Sequence, residues 1–288
     1  MKTLVLGSNG QLGQALADTA SDSEEFVGLD LPELDITSAG ALLNLCREVR
    51  PAVIINAAAY TAVDQAESEI ELATAVNVEG PRNAAAAARK VGARLIHIST
   101  DFVFDGRGST PYKADAKTHP LSVYGRTKRD GERAVLDANP DKAAVMRTGW
   151  LYSKTGNNFV KTMLRLMRER DELSVVADQV GTPTWAESLA TAVWALADIP
   201  ELSGLFHWTD SGEASWHEFA TAIQDEAMSL GLLQKAIPIR AITTDDYPTA
   251  AKRPRYSVLD CSSTCTALGL HPEKWRVNLQ RMLKGMTR

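Results

Sequence analysis

The sequence predicts an α/β protein: a doubly wound, Rossmann-type parallel sheet with a smaller C-terminal α/β substrate domain. Two observations carry this prediction. Short apolar runs alternate with helical stretches through the first half of the chain, as in repeated βαβ units, whose strands are parallel and whose crossovers are right-handed. The first apolar run is also followed by a glycine-rich turn that opens a helix, which is an arrangement that binds phosphate groups.

The individual elements follow from apolar spacing and from turn residues. The first half is predicted to contain strands over 3–7, 25–30, 52–59, 94–100 and 143–148, and helices over 11–20, 39–49, about 64–91 with an interruption near Gly80-Pro81, and about 122–138. The second half is predicted to contain helices over 159–169 and 183–198 and a strand over 173–178, with a mixed pattern at 205–210, 216–231 and 275–286. We expect a dinucleotide-binding domain over 1–150, to which 173–198 returns, and a substrate domain over 151–288, with a cleft between them.

Composition and charge exclude several classes of protein. The net charge of −5 argues against a general nucleic-acid binder, and no apolar run approaches the roughly 18 residues of a membrane span. The N-terminus is typical of a strand and turn rather than a signal peptide, and three sparse cysteines suit a reducing cytosol. The five histidines show no metal-binding spacing. We therefore expect a cytoplasmic protein without a nucleic-acid, membrane or metal partner.

The glycine-rich turn carries three glycines, spaced three residues apart, at Gly7, Gly10 and Gly13. Glycine lets the backbone approach a diphosphate closely, and the helix that follows presents free N–H groups to it. The strand before the turn and the helix after it favour a dinucleotide site over a tight turn without a ligand.

An acidic residue ends the second predicted strand. Asp30 lies about 20 residues past the glycines, where a carboxylate accepts hydrogen bonds from the ribose 2′-hydroxyl of NAD and disfavours a 2′-phosphate. The cofactor is therefore predicted to be NADH or NADPH, with NADH favoured. Asp30 as an ordinary loop acid remains the alternative. Asp35 could contact the adenine or cap the helix that begins near Ser38.

Three polar residues, at the end of the fourth strand and beyond it, are of the types that carbonyl reduction requires. Thr100 ends that strand, Tyr124 lies 24 residues further on, and Lys128 shares one helical face with it. Tyrosine would donate a proton to a carbonyl oxygen, and threonine would orient that oxygen. A lysine ammonium at about 4 Å is worth ~4 kcal/mol at an effective dielectric near 20, so we expect it to lower the tyrosine pKa by roughly three units. A surface Tyr–Lys pair is the alternative.

Eight stretches extend the pattern over most of the chain. They are GSNGQLG, INAAAYTAVDQAES, ISTDFVFDG, PLSVYGRTK, RTGWLY, GNNFVKTMLRL, DQVGTPTWAE and YPTAAKRP. With them the chain resembles the extended short-chain dehydrogenase/reductase superfamily and, within it, the dTDP-4-dehydrorhamnose reductase family. The first and fourth stretches occur across the superfamily, and the others are more specific. The resemblance implies NAD(P)H-dependent reduction of the 4-keto group of dTDP-4-dehydro-L-rhamnose to dTDP-L-rhamnose.

The resemblance also implies roles for individual residues. The implied catalytic residues are Thr100, Tyr124 and Lys128. The implied cofactor contacts are Gly10, Gln11, Leu12, Asp30, Asp35, Ile36, Ala59, Tyr60 and Thr61, beside Gly7 and Gly13 of the turn and the catalytic Tyr124 and Lys128. The implied dTDP-sugar contacts are Thr100, Asp101 and Trp150, although Trp150 could also be a core aromatic.

A cationic loop between prolines carries Lys252, Arg253 and Arg255. We interpret it as a clamp on the sugar-nucleotide diphosphate, with Arg253 as its main donor, because the guanidinium fork matches phosphate oxygens. A solvated loop is the alternative. Asn157 and Asn158 could cap a helix or contact a ligand.

The chain departs from the family pattern at a few positions. Some members of the family dimerise through magnesium bound by glutamates, of which Glu187 matches here, while Ala15 and Gly285 occupy the other two positions. We therefore expect no metal and a monomer or weak homodimer. Phe102 stands where tyrosine is common.

Competing functions remain open on the sequence. A dehydratase or epimerase of the superfamily is disfavoured, because Thr100 is followed by Asp-Phe rather than by the Asp-Glu pair typical of dehydratases. A reductase of another nucleotide 4-keto-deoxysugar stays possible. A non-catalytic dinucleotide-binding module, similar to the regulatory subunit of methionine adenosyltransferase, is the second alternative, although the intact triad favours catalysis.

Overall fold

The structure, a computed structural model, describes residues 1–287. Its strands are β1 (Lys2–Leu6), β2 (Glu25–Leu29), β3 (Val53–Asn56), β4 (Arg94–Thr100), β5 (Ala143–Thr148), β6 (Leu151–Tyr152), β7 (Leu173–Val176), β8 (Val180–Gly181), β9 (Thr184–Trp185), β10 (Gly204–His207), β11 (Ala214–Ser215) and β12 (Ile239–Ile242). Its α-helices are α1 (Gln11–Thr19), α2 (Ala39–Val49), α3 (Ile70–Thr74), α4 (Gly80–Val91), α5 (Val123–Ala138), α6 (Phe159–Glu169), α7 (Ala186–Ala197), α8 (Trp216–Ser229), α9 (Ser262–Leu268) and α10 (Trp275–Lys284). Short 3₁₀ turns cover Gln65–Glu67 and Asp101–Val103, and Ala75–Glu79 forms a π-helical turn.

A parallel sheet forms the centre of the molecule. Within residues 1–287 it contains six strands in the spatial order β10-β5-β4-β3-β1-β2, and each neighbouring pair is parallel. The strand order reverses between β1 and β3, which is where doubly wound sheets bind their ligands. The predicted doubly wound α/β fold is confirmed.

Helices cover both faces of the sheet, and alternate strand residues point to opposite faces. In β1, Val5 joins a core with α1 and α7, while Leu4 and Leu6 join a core with α2, α4 and α5. A further core packs α6, α8 and α10 around β7. This third core is formed by elements of the C-terminal half of the sequence and lies beside the central sheet.

Two segments of the second half differ in detail from the sequence prediction. Residues 205–210 had no sheet assignment, yet β10 pairs with β5 and forms an edge of the central sheet. The segment 173–198, expected to return to the first domain, divides: α7 packs against α1, whereas β7 pairs with β12 away from the central sheet. The assignment of a dinucleotide domain and a substrate domain stays a prediction.

The predicted helix over 64–91 is interrupted just before Gly80-Pro81 by the π-helical turn. Pro81 has no backbone N–H, so the carbonyl of Asn77 lacks its α-helical donor. That carbonyl instead faces α5 at Gly131, where an added Cβ would collide with it. The interruption therefore brings α4 and its preceding turn close to α5.

Candidate active site

A cavity of about 560 Å³ opens at the carboxyl ends of β1, β3 and β4. Most of the predicted cofactor residues line it. The predicted residues in its lining are Gly7, Gly10, Gln11, Leu12, Gly13, Asp30, Asp35, Ile36, Ala59, Thr61, Tyr124, Lys128 and Trp150. The predicted residues outside its lining are Tyr60, Thr100, Asp101 and Arg253.

The glycine turn packs too tightly for side chains. Gly7 has φ +81°, and a Cβ there would lie 2.6 Å from the backbone nitrogen of Ala58. A Cβ at Gly13 would collide with the carbonyl oxygen of Gly7. Gly10 precedes α1 without a side-chain cap, so the first N–H groups of the helix are left for a ligand. This cradle fits the diphosphate of a dinucleotide.

Asp30 closes the far end of the cavity. Its carboxylate accepts hydrogen bonds from the backbone N–H of Asn9 at 3.0 Å and of Leu31 at 2.8 Å. An ionised carboxylate has about four acceptor sites, so Asp30 can hold the glycine turn and still accept from a ribose hydroxyl. Asp35 accepts from the N–H and hydroxyl of Thr37 and does not cap α2, whose N-cap residue is Ser38. Asp35 also lines the cavity, and its contact with the adenine stays a prediction.

The loop after β3 contributes Ala59 and Thr61 to the cavity, but the side chain of Tyr60 points elsewhere. Its hydroxyl donates to Glu69 at 2.8 Å, and its backbone exchanges hydrogen bonds with the Asn77 side chain. Any contact of Tyr60 with a cofactor would therefore come from its backbone.

Thr100, Tyr124 and Lys128 meet beside the cavity. Thr100 ends β4, and its hydroxyl lies near enough to Tyr124 to oppose the rise in the phenol pKa that burial causes. Ser122 caps α5 by accepting from the N–H of Gly125, which places Tyr124 in the first turn and Lys128 one turn later. The Lys128 ammonium donates to the carbonyl of Ile98 at 2.7 Å. The sequence was enough to place Tyr124 and Lys128 on one face of a helix. Their proximity to β4 is visible only in the folded structure.

Lys128 was predicted to lower the pKa of Tyr124, but that pKa is raised, and Lys128 is not among the causes of the shift. Burial raises the pKa of Tyr124 to about 12, with an opposing hydrogen bond from Thr100 and a further increase from the charge of Asp101. Burial also lowers the pKa of Lys128 to about 8, which the charge of Glu132 partly opposes. The ammonium is bound to the Ile98 carbonyl, and desolvation outweighs its attraction for a phenolate. Tyr124 therefore keeps its proton at neutral pH.

Asp101 is buried next to the Thr100 hydroxyl. Its Oδ1 accepts from Thr100 at 3.0 Å, and burial raises its pKa to about 6. Its Oδ2 is buried and makes no hydrogen bond within the described residues, although the nearby Ser257 hydroxyl partly opposes the rise in the carboxyl pKa that burial causes. Because this oxygen is buried and Asp101 lies outside the cavity lining, its contact with a sugar hydroxyl stays a prediction.

Trp150 lines the cavity beyond the end of β5. Its backbone has φ +49°, which a non-glycine residue rarely adopts, and its ring stacks on Trp216. Just before it, Gly149 leaves room for the Asp101 carboxylate, because a Cβ there would lie 2.8 Å from Cγ of Asp101. Asp101 and Trp150 therefore meet at one turn.

Arg253 lies outside the cavity lining and binds Asp64. Its guanidinium donates to both carboxylate oxygens, at 3.1 and 2.7 Å, and to the carbonyl of Ala251. A guanidinium has five N–H donors, so this pairing leaves donors for a phosphate. The predicted diphosphate clamp stays a prediction.

Sequence reasoning did not identify the link between the glycine turn and the segment before α6. Gln11 accepts hydrogen bonds from the Ser153 hydroxyl at 3.1 Å and from the Asn158 amide at 3.0 Å. Asn158 also caps α6 by accepting from Lys161, while Asn157 lines the cavity. The two asparagines thus have different positions, which their adjacency in sequence did not reveal.

A buried ion pair joins α5, the helix that carries Tyr124 and Lys128, to the central sheet. Arg147 binds both oxygens of Glu132 at 2.7 Å, and Ser99 donates to the same carboxylate at 2.6 Å. This joins β4, β5 and α5 directly behind the triad. No local signal in the sequence pairs these residues.

Glu187, the position that matched the family's metal ligands, lies in the first turn of α7. Its carboxylate is 3.7 Å from the Lys154 ammonium, which is also 3.2 Å from Asp18. Ala15 is buried in α1. Within the described residues no cluster of three His, Cys, Asp or Glu side chains has metal-binding geometry.

Comparisons with known proteins place the chain in a family. Residues 1–288 match the family described as the RmlD substrate binding domain. A dTDP-4-dehydrorhamnose reductase of Aggregatibacter actinomycetemcomitans is 44% identical, over 99% of this chain and 98% of the relative.

Solved structures agree over the full length. The dTDP-4-dehydrorhamnose reductase of Clostridium acetobutylicum superposes with a TM-score of 0.94 at 40% identity, covering 100% of both chains. That of Bacillus anthracis, determined in complex with NADP, has a TM-score of 0.93 at 38% identity and 99% coverage of both chains. The protein therefore belongs to the RmlD substrate binding domain family, and its full-length relatives are dTDP-4-dehydrorhamnose reductases.

Proposed function

We propose that the protein reduces the 4-keto group of dTDP-4-dehydro-L-rhamnose to dTDP-L-rhamnose with a nicotinamide dinucleotide. The observation that carries the proposal is the placement of Tyr124, beside Thr100 and one turn from Lys128, at the wall of a cavity that begins in a glycine turn. The relatives that share the whole chain bear the name of this reaction.

The dinucleotide, when bound, supplies the hydride for the keto carbon. Tyr124 holds the proton that the carbonyl oxygen needs, because its raised pKa keeps the phenol protonated at neutral pH. Thr100 orients that oxygen and shares its developing charge. Lys128, with a pKa of about 8, stabilises the phenolate left after proton transfer and can pass on a proton in turn.

We propose that the cofactor is held by the glycine turn, by Ala59 and Thr61, and by Asp30 at the adenosine end. The proposed preference for NADH rests on charge: among residues 1–287, Lys128 is the one basic side chain in the cavity lining. Asp30 and Asp35 would repel a 2′-phosphate at the other end. The Bacillus anthracis relative binds NADP, so the preference is a property to be measured on this chain.

The sugar end of the pocket is assigned to Asp101, Trp150 and Arg253. The unpartnered Oδ2 of Asp101 can accept from a sugar hydroxyl, and the Trp150 ring offers an apolar face. Arg253 has free N–H donors for the diphosphate. In this proposal residues 1–150, with α7 packed on α1, hold the dinucleotide, and most of 151–288 holds the sugar nucleotide.

Partners and location complete the proposal. We expect a monomer or weak homodimer that acts in the cytoplasm on a small dTDP-sugar, without a nucleic acid or membrane partner. In the part of the chain that the structure describes, no helix combines the length and apolar character needed to cross a bilayer.

A panel of nucleotide 4-keto-deoxysugars tests the substrate. Each is incubated with the protein and either NADH or NADPH, and the products are identified by NMR. We expect dTDP-4-dehydro-L-rhamnose to give the highest kcat/KM and NADH the lower KM. Faster turnover of a different keto-sugar would establish the first alternative, and cofactor binding without turnover of any would establish the regulatory one.

A further inference from the structure

Trp150 is held in an unfavourable backbone conformation. Its φ of +49° lies in the left-handed region, where the Cβ of a non-glycine residue is crowded. Such a conformation persists when the surrounding packing determines it, and it often marks a functional position. The question is which contacts hold this indole.

Two residues fix the indole of Trp150. The Trp216 ring lies parallel to it, with ring centroids 3.4 Å apart and an interplanar angle of 2°. On another side, a Cβ at Gly181 would lie 2.5 Å from both Cε2 and Nε1 of Trp150. One face of the indole is therefore covered by Trp216, and its edge fits against the backbone of β8.

Trp216 is itself anchored. It is the first residue of α8, whose capping box joins the Ser215 hydroxyl to Glu218 and so fixes the start of the helix. Its ring also packs against Phe159 of α6 and Phe219 of α8. The stacked pair thus connects the cavity wall to the C-terminal core.

We propose that Trp216 and Gly181 are positioning residues that set the plane of Trp150 and thereby the orientation of the sugar ring in the pocket. Trp150 follows Gly149, which packs against Asp101, so a change in the indole plane alters the sugar pocket beside Tyr124. The cofactor cradle lies on the glycine turn and does not include Trp216 or Gly181. This inference rests on the proposed reductase function.

The experiment compares Trp216→Leu, Trp216→Phe and Gly181→Ala. Ultraviolet circular dichroism follows the coupling of the stacked indoles, steady-state rates give KM for the sugar nucleotide, and fluorescence titration gives Kd for NADH. Gly181→Ala removes no indole, so a change in the coupling between Trp150 and Trp216 in this variant shows that an indole ring has moved. Controls are Trp194→Phe, an indole bonded to Leu16 on α1, and Gly40→Ala, whose new Cβ meets nothing within 4 Å.

We expect Trp216→Leu and Gly181→Ala to lose the indole coupling and to raise KM for the sugar nucleotide about tenfold, the order of one lost aromatic contact. Kd for NADH stays unchanged in these variants, and both controls keep the wild-type KM for the sugar nucleotide and Kd for NADH. Trp216→Phe recovers most of the affinity. An unchanged KM in Trp216→Leu and Gly181→Ala overturns the inference, and so does a parallel loss of NADH binding. A wild-type protein that shows the indole coupling but turns over no keto-sugar overturns the proposed function instead. The proposed role of Trp216 and Gly181 in orienting the sugar is then overturned too. The indole coupling in Gly181→Ala would still show whether Gly181 sets the plane of Trp150.

Discussion

The proton on Tyr124 depends on burial more than on its lysine neighbour. The Tyr-x-x-x-Lys spacing was enough to place both side chains on one face of α5. The sequence could not show that the Lys128 ammonium bonds to the Ile98 carbonyl or that both groups are desolvated. The residue types were therefore predictable, but the direction of the Tyr124 pKa shift was not.

Lys128→Met tests the cost of this buried cation. The folded-state pKa of about 8 lies below the ordinary 10.5, so the unfolded chain binds the proton more tightly, and the ammonium lowers stability below pH 8. We expect Lys128→Met to raise the free energy of unfolding at neutral pH, by at most on the order of 3 kcal/mol, while kcat falls ~10²- to 10⁴-fold.

Urea unfolding at pH 7 and near pH 10 checks the sign. The stability gained by the variant shrinks as pH rises from about 8 to 10.5, because the folded wild-type lysine loses its proton near pH 8 and the unfolded one only near 10.5. Lys90→Met, at an exposed position on α4, is the control and leaves both properties unchanged. A variant that is less stable than the wild type at neutral pH contradicts the account of Lys128.

At the scale of elements, two glycines in α5 allow this helix to approach neighbouring backbone closely. A Cβ at Gly125 would collide with the carbonyl of Phe102, and one at Gly131 with the carbonyl of Asn77. Glycine lowers helix propensity, so its presence inside α5 has a packing reason. The two close approaches set the distance of Tyr124 and Lys128 from β4.

Gly131→Ala is expected to displace α5. The new methyl group meets backbone rather than a flexible side chain, so overpacking of about 1–3 kcal/mol outweighs the helix propensity that alanine gains. We predict a lower midpoint of thermal unfolding and a lower kcat, since Tyr124 and Lys128, the proposed catalytic residues, lie on the same helix. Gly40→Ala in α2, where the Cβ meets nothing, should instead stabilise the protein by up to about 1 kcal/mol. Equal stabilities of Gly131→Ala and wild type would show that α5 is not fixed by this contact.

Element prediction was accurate where the signal was local. The apolar runs that form β1 to β5 are bounded by turn residues, and the glycine turn predicts the start of α1. The short apolar run in β10 gave no such signal. It becomes a strand of the sheet because it pairs with β5, which is distant in sequence. The breaks within 64–91 depend on contacts with α5 as well as on Pro81.

Across the whole molecule, side-chain hydrogen bonds join the C-terminal half of the chain to the N-terminal half, which contains the glycine turn. Gln11 of the glycine turn accepts from Asn158, and Asp64 binds Arg253. The motifs around these residues were visible in the sequence, but their pairing across such separations was not. The pairings place the sugar-binding candidates next to the cofactor cavity.

Asp64→Asn tests the second bridge. Arg253 holds the pKa of Asp64 below its ordinary 3.8, so the pair stabilises the fold above that pH and the contribution is lost as pH falls through the lowered value. Because the Asp64 side chain is 44% exposed, water screens the pair and we expect a loss of only about 0.5–1 kcal/mol at neutral pH.

Urea unfolding at neutral pH and below pH 3.8 measures this difference, which should diminish in acid. Asp171→Asn, which breaks an exposed pair with Lys235, is the control and should have no measurable effect. A stability difference that persists undiminished in acid would contradict an electrostatic origin.

The rate of NADH oxidation with dTDP-4-dehydro-L-rhamnose, compared between the wild type and Tyr124→Phe, tests the central claim most directly. The account predicts turnover of the wild type to dTDP-L-rhamnose. It predicts a loss of ~10²- to 10⁴-fold in the variant, because phenylalanine has no proton to donate. NADH binding should remain intact in both. Wild-type protein that binds NADH without turnover, or a variant that turns over as fast as the wild type, would contradict it.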